Sequence, residues 1–264
     1  MSGIKRDTAR LDGVTMDYFS FGTGSRTFVI LPGMSIKPVT DSAEAVAAAF
    51  DSFAADYTVY VFARSEGIDD GCTVEALAED TAQVMRSLGI EGADVFGASQ
   101  GGMMAMCIAA EHPELVRTLA VASTSAAPCT GAERIIREWK ALALAGDVRA
   151  LNRSMTQYIY SPEFREKYRS AFAALETQGT PEELMTVSRL ADACLSFDIR
   201  ERLGRIRCPV LAVGSEQDAL FGAGPAREIA EACGGELIIY SGFGHALYDE
   251  APDFRARLKA FSDR

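Results

Sequence analysis

Val95-Phe96-Gly97-Ala98-Ser99-Gln100-Gly101-Gly102 is the stretch on which the reading of this chain turns. The apolar run Ala93 to Phe96 reads as a buried strand and Met103 to Ala110 as a buried helix, so Ser99 falls on the turn between them. A serine on so sharp a strand-to-helix turn has a strained backbone that presses its neighbours together. Only very small residues then fit two places before and after it. Gly97 and Gly101 occupy those places. The turn lifts the hydroxyl above the sheet edge and aims the helix's first free N–H groups at whatever binds there, which favours a developing negative charge. A blander reading, a glycine-rich connection whose serine only caps the helix, loses weight once the flanking strand and helix are counted.

These residues resemble the nucleophile elbow of the α/β-hydrolase superfamily, in its lidded, esterase-like serine hydrolase branch. The resemblance implies a mostly parallel central sheet with helices on both faces and an inserted helical lid. The rest of the chain has the pattern such a fold needs. At 264 residues it can bury one large α/β domain with an insertion. Thr27 to Leu31, Thr58 to Phe62, Leu119 to Ala122 and Val210 to Val213 are apolar enough to be strands buried on both faces, alternating with helical patterns. Such alternation requires a parallel sheet covered on both sides. Val14 to Phe19 reads as an edge hairpin strand, Thr40 to Ala55 as one helix, and Val74 to Leu88 as a helix capped by Thr73.

From about Pro128 to Leu195 the strands stop and four amphipathic helices follow. Their faces carry Ile135, Ile136, Trp139 and Leu142; then Leu151, Met155, Tyr158 and Ile159; then Phe164, Tyr168 and Phe172. Thr180-Pro181-Glu182-Glu183 is a capping box that opens the fourth. We expect residues 128–195 to be a lid inserted in a core of residues 1–127 and 196–264, with most of these apolar side chains packing the lid on itself and on the core. Beyond it come the strand Glu236 to Tyr240 and a last helix from Ala251 to Phe261.

A serine hydroxyl needs a base, and the base needs a third group to hold its tautomer. The chain has two histidines. His112 precedes Pro113 at the end of the elbow helix, whereas His245 follows the last strand and so lies at the carboxyl edge of the sheet, where Ser99 lies and where open α/β sheets bind ligands. His245 is the better base. Asp218 follows the strand Val210 to Val213 and is the preferred carboxylate; Asp249 and Glu250 read as acids suiting a helix dipole. The order Ser99, Asp218, His245 is also that of the α/β-hydrolases. The resemblance places oxyanion donors at the backbone N–H groups of Gln100 and Met34. It departs from the family at Pro32-Gly33, where His-Gly is usual. Trp139, Tyr158 and Leu220 are candidates for the pocket wall.

The expected function is a serine hydrolase that cleaves an ester-type bond of a small apolar substrate through an acyl-enzyme. A peptidase, thioesterase or C–C bond hydrolase would use the same groups, and a slow ligand receptor that signals through its lid is the rival from another class. Neither a metal nor an organic cofactor is implied. The net charge of -11, from 37 acidic and 26 basic residues, argues against nucleic acid and anionic membranes as partners. The expected partner is a small-molecule substrate, with a homodimer left open. Six scattered cysteines give no disulfide framework or zinc pattern. The N-terminus lacks a signal peptide's apolar core, so a cytoplasmic protein is expected.

Overall fold

The computed structural model describes residues 3–264; Met1 and Ser2, which head the N-terminal segment read above as leaderless, lie outside it. In chain order the elements are β1 (Lys5–Leu11), β2 (Val14–Phe21), β3 (Arg26–Leu31), α1 (Ala43–Ala49), β4 (Tyr57–Ser65), α2 (Val74–Ser87), β5 (Ala93–Ala98), α3 (Gln100–Glu111) and β6 (Val116–Ala122). A block of helices follows: α4 (Thr130–Leu144), α5 (Val148–Ile159), α6 (Pro162–Lys167), α7 (Arg169–Leu175) and α8 (Pro181–Ser196). The chain then returns through β7 (Val210–Ser215), α9 (Gly224–Cys233), β8 (Glu236–Tyr240), α10 (Leu247–Glu250) and α11 (Phe254–Ser262). No helix of the described residues is long and apolar enough to cross a membrane.

The eight strands form one sheet in the order β1-β2-β4-β3-β5-β6-β7-β8. The pairs β1–β2 and β2–β4 are antiparallel, and every later pair is parallel. Register brings the strand ends level: Leu31 faces Gly97, Ala98 faces Ala122, and Ala122 faces Val213. The segments that leave those strands, Pro32-Gly33-Met34, Ser99 and Glu216 to Asp218, therefore emerge on one edge. Two apolar layers fix the sheet. One face buries Leu77, Met104 and Ile229 of α2, α3 and α9; the other buries Phe28, Phe53, Phe254 and Leu258 beneath α1 and α11. The helical block joins the first layer through Ile135, Trp139, Leu184 and Val187.

Four local expectations are corrected. The edge strand is β1, not Val14 to Phe19. Its side chains are mostly exposed and do not alternate, so nothing apolar marked it. The helix expected over Thr40 to Ala55 breaks into a 3-10 turn Val39–Ser42, α1, and a second turn Asp51–Phe53. The break lets Phe50 and Phe53 both lie against Phe28, ring centroids 6.2 and 4.6 Å away. The third helix of the block divides at Tyr168, where Phe164, Tyr168, Phe172 and Tyr160 gather into a ring cluster. The last helix starts earlier, as α10, and is interrupted before α11.

Candidate active site

Ser99 sits between β5 and α3 at φ 52° and ψ -122°. That conformation costs an L-residue of order 1–3 kcal/mol and persists only where the surroundings over-determine it. They do so here. A Cβ on Gly97 would collide with the Gly101 carbonyl, and one on Gly101 with that of Leu31. Ser99 N–H donates to Ala122 O at 2.9 Å, and Thr124 Oγ1 donates to Ser99 O at 2.7 Å. The hydroxyl is thus held at the N-terminus of a helix whose first N–H groups have no intrahelical acceptor.

His245 and Asp218 come together on loops after β8 and β7. Nδ1 of His245 lies 2.9 Å from Oδ2 of Asp218, and both residues are buried, 2% and 5% exposed. Oδ1 of Asp218 accepts the backbone N–H of Leu220 at 2.8 Å and of Phe221 at 3.1 Å. A carboxylate only accepts, so Nδ1 carries the ring proton and Nε2 is left as acceptor. The loop carrying His245 is fastened on both sides. Ala246 N–H donates to Ile159 O, Ser215 Oγ donates to Phe243 O, and the Glu250 carboxylate accepts Ser161 N–H at 2.8 Å and Gly244 N–H at 3.3 Å. The reading of Glu250 as a helix-dipole acid thus missed two backbone ties.

Ser99 and His245 line one small chamber of about 30 Å³, together with Gly33, Met34, Gln100, Trp139 and Leu220. Gly33 packs so closely that a Cβ there would lie 3.2 Å from that of Ser99. The structure thus brings together all three proposed reacting groups, both proposed oxyanion donors and two of the three pocket candidates. Tyr158 is the exception and is corrected. It belongs to an outer groove with Glu138 and Arg149, where its ring lies 5.8 Å from the Arg134 guanidinium. On α5 the inward positions are Met155 and Ile159, four apart, and Tyr158 is turned about 100° from Ile159. Trp139 Nε1 donates to Ser154 Oγ at 3.1 Å, which fixes its ring in the wall. His112 is remote from the chamber, held between Glu79 and Arg86.

A larger cavity of about 390 Å³ adjoins the chamber and shares the walls Gly33, Met34, Ile159 and Tyr248. Val39, Val46, Phe50, Met155, Phe172 and Leu175 make most of it apolar. Asp249 is among its walls; burial there pushes its carboxyl above the usual range, opposed by Arg255. Burial also lifts the Cys194 thiol in the chamber wall to about 11, so it stays protonated and unreactive.

The loop Pro32-Gly33-Met34 is held without a side chain of its own. Arg64, near the end of β4, donates from Nη2 to Pro32 O at 2.7 Å and to Gln100 Oε1 at 3.0 Å, and from Nε to the same oxygen at 3.2 Å. Sequence reasoning missed this residue. Its partners are a backbone carbonyl and an amide 32 and 36 positions away, a pairing that has no sequence signature.

Comparison with known proteins identifies the fold family. A family model described as alpha/beta hydrolase fold matches residues 32–252. RutD of Caulobacter sp. (strain K31), to which carbamate hydrolysis is ascribed, is 29% identical over 199 residues, 74% of each chain. The pimeloyl-[acyl-carrier protein] methyl ester esterase of Chromobacterium violaceum is 28% identical over 154 residues, 53% of this chain and 57% of its own. Among solved structures, MGS-M2, an alpha/beta hydrolase enzyme from a Medee basin deep-sea metagenome, superposes with a TM-score of 0.86 at 25% identity over 98% of both chains. The enol-lactonase of Burkholderia xenovorans LB400 gives 0.85 at 19% identity, over 98% of this chain and 100% of its own, a likeness of fold.

Proposed function

The chain belongs to the α/β-hydrolase family and is a hydrolase of that kind, and from that premise we propose that it is a serine hydrolase cleaving an ester-type bond of a small apolar substrate. One observation carries the reading: His245, paired at 2.9 Å with the buried Asp218, lines the same small chamber as a serine held at positive φ. In this mechanism Nε2 of His245 takes the Ser99 proton as Oγ attacks the carbonyl carbon. The oxyanion that forms is met by the N–H groups of Gln100 and Met34. The C–O bond to the alcohol then breaks, the alcohol leaves with the proton held on His245, and water hydrolyses the acyl-serine by the same steps. Asp218 stays ionised throughout, fixing the tautomer and stabilising the imidazolium.

The chamber has room for little beyond the reacting carbonyl, so the apolar part of the substrate belongs in the adjoining cavity past Met34 and Ile159. The helical block 128–195 acts as the lid, since its Trp139, Ile159 and Cys194 close the chamber. The test is p-nitrophenyl acetate turnover together with fluorophosphonate labelling, in the wild type and in Ser99→Ala. Labelling and turnover that both depend on Ser99 support the reading; their absence from the wild type overturns it. The similarity to RutD makes an aryl carbamate the second substrate to assay, because the same attack on a carbamate carbonyl releases an alcohol.

A further inference from the structure

We propose that Arg64 is the positioning residue of the oxyanion hole: its guanidinium ties together the two segments that carry the donor N–H groups and sets a fixed positive charge behind them. The inference rests on the serine hydrolase reading and goes beyond it, because neither the elbow nor the histidine pair requires an arginine at this place.

Pro32, whose carbonyl takes one Arg64 hydrogen bond, lies two residues before the Met34 donor; Gln100, whose side chain takes two, supplies the other donor from its own backbone. Gln100 is fully buried, and its Nε2 donates to Leu190 O on α8 at 3.0 Å. Its amide orientation is therefore set, oxygen toward Arg64 and nitrogen toward the helical block. Pro32 offers no side-chain group or N–H by which the loop could otherwise be held. One planar fork thus spans the loop after β3 and the start of α3, the two parts whose spacing decides whether both donors reach one oxygen.

Three arginines placed against the core are neutralised: Arg26 and Arg117 share Asp94, and Arg202 meets Glu75. Among the described residues Arg64 has no ion pair with a carboxylate, and its hydrogen-bond partners are neutral oxygens. Burial draws its pKa down to about 10, which leaves it protonated at neutral pH. The guanidinium is half-buried at the edge of a cavity that Lys37 and Glu183 also border, and its fork is spent on neutral oxygens, not on a carboxylate. The missing negative charge arises when the substrate carbonyl becomes an oxyanion on Gln100 and Met34, so the interaction is stronger in the transition state than with bound substrate. Interactions of that kind raise kcat rather than lower KM.

Two variants separate this from a mere strut. Arg64→Met keeps the stem and removes the fork and the charge. Gln100→Glu keeps an acceptor for the fork but gives the guanidinium its own carboxylate. We expect each to lower kcat for p-nitrophenyl acetate by about a hundredfold, the scale of losing one oxyanion donor, with KM changed less than about threefold. Affinity for an arylboronic acid, which forms a tetrahedral adduct on Ser99, should fall in parallel, and Arg64→Lys should recover part of both losses. Near-wild-type kcat and boronate affinity in folded Arg64→Met, or in Gln100→Glu should Arg64→Met not fold, would overturn the proposal. So would a loss that appears in KM alone. A wild type that neither turns over nor labels with fluorophosphonate overturns the hydrolase reading itself; an active, Ser99-labelled wild type beside an unimpaired variant overturns this proposal alone.

Discussion

Ser99 holds a backbone conformation that an alanine can adopt no more easily than a serine, so Ser99→Ala should remove turnover and leave the thermal midpoint within a few degrees. Residual activity above a hundredth of wild type would mean that another nucleophile acts. His245→Ala should lower the acylation rate by several orders of magnitude, while His112→Ala, at a surface cluster with Glu79 and Arg86, should cost roughly a kcal/mol of stability and little rate. Comparable losses at both histidines would sink that assignment. For Asp218→Asn we expect a loss in kcat of about ten-thousandfold, as for the worked protease triad, because the amide favours the wrong tautomer. That these three residues would share one edge was legible because each follows a strand with an apolar run, buried in β5 and β7 and half-exposed in β8, and strand ends fall on one edge of a parallel sheet. Tyr158 was not legible in the same way. A helical face read from spacing is broad enough to include a residue a hundred degrees from the position that meets the cavity.

Between elements the elbow depends on contacts too close for any side chain. Gly101→Ala would press a methyl into the Leu31 carbonyl, so it should destabilise by about 1–3 kcal/mol or more and be read as a lower thermal midpoint, with activity lost through the shifted loop. An alanine at Gly222, which stands in open space, should cost the modest strain of its φ of 61° and leave the elbow intact. Glu250 is the comparable tie on the other side of the chamber, since its two carboxylate oxygens accept N–H groups from the start of α6 and from the residue before His245. Glu250→Ala leaves both N–H groups without their acceptor. We expect a stability loss of about 1.5–3 kcal/mol and a several-fold fall in kcat, measured by denaturant unfolding and p-nitrophenyl acetate turnover. Unchanged kcat would show that the His245 loop is held by Ala246 and Phe243 alone. Elements with continuous apolar runs or a capping box, such as β5, β7 and α8, were readable from local pattern. β1 and the breaks at Phe50 and Tyr168 were not, because pairing with β2 and packing of rings from distant segments decide them.

At the scale of the whole molecule, substrate choice follows from two unequal spaces, a reaction chamber of about 30 Å³ and an apolar cavity of about 390 Å³ beyond Met34 and Ile159. Nothing in the linear sequence specifies such a division, because the larger cavity is walled by α1, α5, α7 and the loop after β3 at once. If the acyl chain lies there, each methylene removed from water contributes at most about 0.8 kcal/mol, or roughly fourfold in kcat/KM, until the cavity is full. A series of p-nitrophenyl esters from acetate to dodecanoate should therefore rise stepwise and then turn over, instead of declining from acetate onward as a closed chamber alone would require. Filling the cavity from its far wall isolates the cause. Val46→Trp, on α1 and outside the chamber, should lower the ratio of octanoate to acetate turnover at least tenfold. An unchanged ratio in the folded variant would place the chain elsewhere, through the opposite side of the Pro32-Gly33 loop, where Lys37, Arg64 and Glu183 border a separate cavity of about 270 Å³.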